Sequence, residues 1–283
     1  MGKPNVGKAT LMNQLVGEKL SIITSKAQTT RHRIMGIVND DDFQIVYSDT
    51  PGMLDPKYKL QEGMMKFVGT AWLDADVLLL VVEVGDKIEN YDQILPRIEK
   101  SDARVFVILN KVDLSQQEEV LEKLEAWSKR LPNASVVALS ALHKFNIENL
   151  MEKIVESLPE GPPYFSKDEL TDKPMRFFVS EMIREKILLH YKQEIPYSVE
   201  VVVEEYKDEA KLIRIRANIV VSRDSQKVII IGKGGQAIKR VGTDARMDIQ
   251  DFVGKKVFLE LFVKVDKNWR NDETKLRKYG YLD

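Results

Sequence analysis

The stretch RVFVILNKVD (residues 104–113) runs seven β-rich residues straight into a polar turn, and the reading of that turn decides the fold. Unbroken apolar character before the turn fits a strand buried on both faces, as in a parallel sheet covered by helices. Such sheets bind ligands at the carboxyl ends of their strands. Asn110, Lys111 and Asp113 therefore sit where a ligand would be read. The Asp113 carboxylate can accept two hydrogen bonds, from guanine N1–H and from the exocyclic amine. Adenine presents an acceptor at N1 and no such amine, so it would leave that carboxylate unpaired.

Outward from this stretch the same alternation repeats. FQIVYSD (43–49), VLLLVVEV (77–84) and SVVALS (135–140) are further short β-rich runs with turn residues at their ends. Amphipathic segments lie between and after them: YDQILPRIEK, SQQEEVLEKLEAWSKRL and NIENLMEKIVESL. This order predicts an α/β domain with a mostly parallel sheet over residues 1–158. The stretch 159–174, rich in proline and charge, breaks the pattern and reads as a linker. Beyond it the order becomes α-β-β-α-α-β, a small α+β domain over residues 175–283.

Composition narrows the function classes. Hydrophobic residues at 43% and charged residues at 31% fit a globular protein with real cores. No apolar run approaches the ~20 residues of a membrane span, and the start carries no signal-peptide pattern. The absence of cysteine excludes disulfides and thiolate metal sites, and fits a cytosolic protein. The net charge of −1 hides an asymmetry: Lys207–Asp283 holds 18 basic against 11 acidic residues, and the remainder 25 against 33. A basic module joined to an acidic one suits a polyanionic partner, although a solvated lysine-rich face would give the same count.

Three more motifs fall at predicted strand ends or helix starts. MGKPNVGKAT (1–10) places Gly2, Gly7 and Lys8 in the pattern G-x-x-x-x-G-K-[ST]. Backbone amides of such a loop surround a β-phosphate, Lys8 reaches toward the β- and γ-phosphates, and a helix N-terminus faces the anion. Asn5, Val6, Gly7, Lys8, Ala9 and Thr10 are the candidate phosphate contacts. In DTPG (49–52), the Asp49 carboxylate can hold Mg²⁺ through water and the Gly52 amide can meet a γ-phosphate. In SAL, comprising Ser140, Ala141 and Leu142, the Ala141 amide can donate to guanine O6. Each motif alone is weak; four in this order are not coincidence.

In the basic half, VIIIGKGGQAIKRVG (228–242) lies between two predicted helices. Gly232, Lys233, Gly234 and Gly235 form a GxxG loop, which clamps the backbone of about four nucleotides of single-stranded nucleic acid. Ile231 supplies apolar surface, and Lys239 and Arg240 charge the start of the next helix. At least half of the isoleucines read as ordinary core. Trp269 and Tyr279 read either as base-stacking surfaces or as anchors of the terminal segment.

The first half resembles the translation-factor-like GTPases, and the second a type II KH domain. Together with SEMIREKI (180–187) and LPEGPPYF (158–165), the whole chain resembles the Era family of ribosome-associated GTPases. That resemblance implies GTP/GDP and Mg²⁺ as cofactors. It places a Mg²⁺-binding, γ-phosphate-sensing threonine in KAQTTRHR (26–33), either Thr29 or Thr30. It implies binding to the 3′ end of small-subunit ribosomal RNA, assistance in small-subunit assembly, a monomer, and cytoplasmic location with some peripheral contact at the inner face of the membrane. Met53 and Leu54 follow Gly52 where many GTPases carry a water-positioning glutamine, so hydrolysis is expected to be slow.

Two departures temper these expectations. Ala9 stands where the family has the serine or threonine whose hydroxyl binds Mg²⁺, and Thr10 is rotated by ~100° along the helix. No apolar strand precedes Gly2, so the sequence reads as truncated at its first strand. The alternatives to a GTP-driven RNA-binding switch are an RNA-binding module regulated by guanine nucleotide with little hydrolysis, and a nucleotide-independent RNA chaperone.

Overall fold

In the computed structural model, residues 1–282 are described, so Asp283 at the end of the basic half lies outside the described residues. The chain forms two compact units. The first comprises residues 1–21, 30–55 and 64–172; the second comprises 22–29, 56–63 and the chain from Lys173 onward.

The first unit is built on two sheets. Strands β1 (Ile34–Asn39) and β2 (Gln44–Asp49) pair antiparallel. Strands β3 (Val77–Glu83), β4 (Arg104–Asn110) and β5 (Ser135–Ala138) form a parallel sheet in the order β3-β4-β5. Leu80, Val82, Val107 and Leu109 are fully buried, as continuous apolar strands under helices should be. Helices α1 (Lys8–Val16), α3 (Leu95–Glu99), α4 (Gln117–Arg130) and α5 (Ile147–Val155) supply the cover. Trp127 of α4 is fully buried and meets Tyr91 edge-on at 5.6 Å. The pairing register sets Glu83 beside Asn110 and Leu109 beside Ala138, which brings the strand ends carrying the motifs to one edge.

The parallel α/β expectation holds, with three differences. No strand precedes α1 among the described residues. Instead the Met1 amino group donates to the Leu79 carbonyl at 2.7 Å, the Val81 amide donates to Met1, and the Met53 amide donates to Gly2. Strand β1 did not stand out in the sequence. The segment read as a linker is also not free: the Ile37 amide donates to Leu170 at 2.8 Å and the Met35 amide to Asp172, so residues 164–172 run along the β1–β2 hairpin.

The second unit follows the α-β-β-α-α-β order. Its helices are α6 (Met175–His190), α7 (Asp224–Ile231) and α8 (Gln236–Val253), and its strands β6 (Val199–Asp208), β7 (Ile213–Val221) and β8 (Val257–Val265). Strands β6 and β7 are antiparallel, while β7 and β8 are parallel. Ile183, Ile187, Ile215, Ile219, Ile230, Val241 and Ile249 form its core. Trp269 belongs to the buried interior: it is fully buried, its Nε1–H donates to Ser198 at 3.2 Å, and Tyr279 packs edge-on against it. That placement removes it from any base-stacking role. Helix α2 (Lys59–Leu73) and the terminal helix α9 (Glu273–Lys278) complete the set.

Candidate functional site

The phosphate loop is built by close approach. Gly7 has φ +95°, and a Cβ there would fall 2.2 Å from the Asn110 side-chain nitrogen, so only glycine fits. Asn5 also adopts a positive φ, of 66°, and Val6 is buried. Gly7 caps α1, whose first residues are Lys8, Ala9 and Thr10. The Lys8 ammonium donates to the Lys3 and Gly2 carbonyls at 2.7 and 3.2 Å, and burial lowers its pKa to about 8. A phosphate in the loop would favour its charged form.

Asn110 joins this loop to the distant motifs. Its side-chain N–H donates to the Val6 carbonyl at 2.8 Å and its oxygen accepts from the Ala141 amide at 3.0 Å. Lys111 adopts φ +63° and pairs with Glu83 at 2.7 Å. The Ser140 hydroxyl donates to Asp113, and a Ser140–Phe145 bridge closes the loop in which Leu142 is exposed. The Ala141 amide and the phosphate loop are thus braced through one buried side chain, with Asp113 held alongside by Ser140, an arrangement that suits a purine nucleotide spanning base and phosphate subsites.

Asp49 at the end of β2 is buried, and burial raises its pKa while the nearby Lys8 charge opposes the shift. Its Oδ2 accepts from Ser21 at 2.8 Å and from Thr30 at 3.3 Å. Ser21 was not legible as a site residue, because a lone serine after a helix carries no motif. Gly52 packs tightly against Pro4. The Thr29 hydroxyl is engaged elsewhere, with Thr24 and with the Lys26 carbonyl at 2.6 Å each, and Thr29 belongs to the second unit. The donors gathered at Asp49 are all hard oxygens, which suits Mg²⁺. Ala9 contributes no oxygen.

In the second unit the GxxG loop carries φ values of +71°, +58° and +77° at Gly232, Gly234 and Gly235, conformations open to glycine and strained for other residues. Lys233, Lys239 and Arg240 are exposed beside it. Ile231 is half-buried against the core, whereas its neighbours Val228 and Ile229 are exposed. A groove of about 260 Å³ lies beyond the loop, lined by Ile238, Lys239, Gly242, Thr243, Arg246, Leu259 and Leu261. Its far wall, Leu259 and Leu261 on β8, could have been found from the apolar alternation of VFLELFVKV.

Comparison with known proteins agrees with both halves. A family described as "50S ribosome-binding GTPase" matches residues 1–111, and the KH domain family matches residues 194–270. The GTPase Era of Syntrophus aciditrophicus is 46% identical over 284 residues, covering 99% of this chain and 93% of that protein. The GTPase Era of Staphylococcus haemolyticus is 41% identical, covering 100% and 95%. Among solved structures, Era in complex with MgGDPNP and nucleotides 1506–1542 of 16S ribosomal RNA superposes with a TM-score of 0.94 at 36% identity, covering 100% and 97%. An Aquifex aeolicus Era variant bound to GDP·AlF4⁻ superposes with 0.95 at the same identity and coverage.

If Asp113 reads guanine through two hydrogen bonds, removing one donor from the ligand weakens binding measurably. Calorimetric titration should find IDP, which lacks the exocyclic amine, about 10- to 100-fold weaker than GDP, and ADP weaker still. Equal affinities for GDP and IDP would contradict the assignment.

Proposed function

The chain belongs to the Era family of GTPases, and on that premise we propose that it is a guanine-nucleotide switch that binds the 3′ end of small-subunit ribosomal RNA. In this reading it assists assembly of the small subunit. The observation that carries the proposal is the likeness, over both units of this chain, to an Era that was solved holding MgGDPNP and a fragment of 16S ribosomal RNA together.

The residues divide the work by their chemistry. Loop amides and Lys8 hold phosphates, Asp113 and the Ala141 amide read guanine, and Asn110 fixes the distance between the two subsites. Thr30 and Asp49 are the residues that would hold Mg²⁺, because the Thr30 hydroxyl faces that carboxylate while Thr29 is spent on its own turn. Bound Mg²⁺ supplies positive charge to the β- and γ-phosphate oxygens. Met53 and Leu54 cannot orient a water, so turnover is slow unless other groups arrange it. The proposal assigns nucleotide binding to residues 1–158, RNA binding to 175–283, and contact with RNA to the GxxG loop and its adjoining groove.

A monomer, a cytoplasmic location and peripheral contact with the membrane belong to the same proposal. No helix of the described residues is long and apolar enough to cross a membrane. Ala9 favours a second reading, in which guanine nucleotide regulates RNA binding with little hydrolysis.

Two experiments test these readings. Anisotropy titration of an RNA matching the 16S 3′ end should show at least about tenfold weaker binding for Lys233→Glu, which turns a cation facing phosphates into an anion. Unchanged affinity would exclude the loop as the contact. GTP turnover measured across a Mg²⁺ series should rise about tenfold or more in Ala9→Ser at limiting Mg²⁺, since one direct oxygen ligand is restored. Equal rates would show that Ala9 costs nothing and would remove the ground for the second reading.

A further inference from the structure

The segment 22–29, which precedes Thr30, lies along helix α6 within the second unit and is bonded to it, from Arg184 to Tyr191, over about two turns. The Ile23 amide donates to Glu185 at 3.1 Å. The Lys26 ammonium donates to the Leu188 and Tyr191 carbonyls at the carboxyl end of α6, where main-chain acceptors lack helical partners. Between these points stands Arg184, 1% exposed, seated on Glu181, 4% exposed. Its Nε donates to Glu181 at 2.7 Å and its Nη2 to the other carboxylate oxygen at 2.5 Å. Two further guanidinium donors go to main-chain carbonyls: Nη2 to Thr29, and Nη1 to Gln28 at 3.5 Å.

A glutamate and an arginine three residues apart on a helix are most often a plain structural pair. Burial argues for more here. Two buried charges gain little over apolar side chains of the same volume, which would pack in the same space. What an apolar residue could not do is meet two carbonyls of another segment. A second observation points to the same place: Gln28 has φ +58°, a left-handed conformation that a non-glycine residue keeps only where its surroundings hold it. Tyr58, from the other short segment of this unit, donates to the Gln28 side chain at 3.0 Å. The strained turn at 28–29 is held from α6 and from residue 58, and the next residue is Thr30.

We propose that Arg184 is a positioning residue for GTP turnover: its grip on the Gln28 and Thr29 carbonyls holds the left-handed turn that presents Thr30. It touches neither nucleotide nor RNA. The inference rests on the reading of residues 26–33 as a nucleotide-sensing segment. It adds that the setting of this segment is fixed by a buried ion pair on the first helix of the RNA-binding half.

The test uses the full chain with Arg184→Met and Arg184→Lys. In the GDP-bound protein, hydrogen exchange of amides 22–30 should accelerate about tenfold or more in Arg184→Met, with β6–β8 amides unchanged. Arg184→Lys keeps a charge on Glu181 but cannot span both carbonyls, so it should fall between, and it serves if the methionine variant does not fold. In the same variants kcat should drop about tenfold while KM for GTP stays within about threefold, because loop and guanine contacts are untouched. Unchanged exchange at 22–30 would overturn the proposal whatever the protein's activity. Faster exchange with unchanged kcat would overturn the positioning role. Wild-type protein that binds GTP without turning it over would refute the hydrolytic reading itself, and the positioning role with it, while exchange would still report whether Arg184 holds the segment.

Discussion

The Asn110 carboxamide donates to the phosphate loop at Val6 and accepts from Ala141, both at hydrogen-bond distance and both out of water. The candidate nucleotide site depends on that pair of bonds. A single planar group fixes the separation of a loop suited to phosphate from a loop suited to guanine, in an interior where unmade hydrogen bonds are costly. Gly7 is part of the same constraint, since any side chain there would collide with the Asn110 nitrogen. The parallel register delivers Asn110 to the strand end, and the buried aliphatic strands hold that register.

A second constraint lies in how the chain divides. Two short segments, 22–29 and 56–63, each close to a phosphate-facing motif in sequence, cluster with the basic half. The first is strapped along α6. The second is tied to the terminal segment: Lys59 pairs with Glu273 at 2.7 Å, Arg270 lies over the Tyr58 ring, and the Gly63 backbone presses on Tyr281. Loops of this kind change order with the γ-phosphate in nucleotide switches. Here their contacts lie within the unit that carries the GxxG groove.

How legible this was in the sequence depended on whether a feature is written in local chemistry. The buried parallel strands were plain because burial on both faces demands unbroken aliphatic runs. The GxxG loop was plain because three glycines must supply positive φ. Strand β1 does not stand out because IMGIVN is short, broken by Gly36, and covered partly by residues 164–172, whose charges and flanking prolines read as a linker. Asn110 was read as part of a guanine motif, with its bracing role hidden because the bond partners lie 104 and 31 residues away. Arg184 and Glu181 were invisible as a buried pair, since charges on an amphipathic helix normally face solvent. Ser21 had no motif to mark it. Long-range placement, rather than residue chemistry, is what the sequence withheld.

A guanine-nucleotide switch acting on RNA must bind the two with linked free energies, and linkage requires the effect to be reciprocal. The direct measurement is a thermodynamic box. The affinity of the full chain for an RNA matching the 16S 3′ end is measured with GDP and with a non-hydrolysable GTP analogue, and the affinities of both nucleotides are measured with and without that RNA. The account predicts the same ratio from both sides, at about fivefold or more. A ratio of one, with both ligands bound, would show two independent modules on one chain and would contradict it.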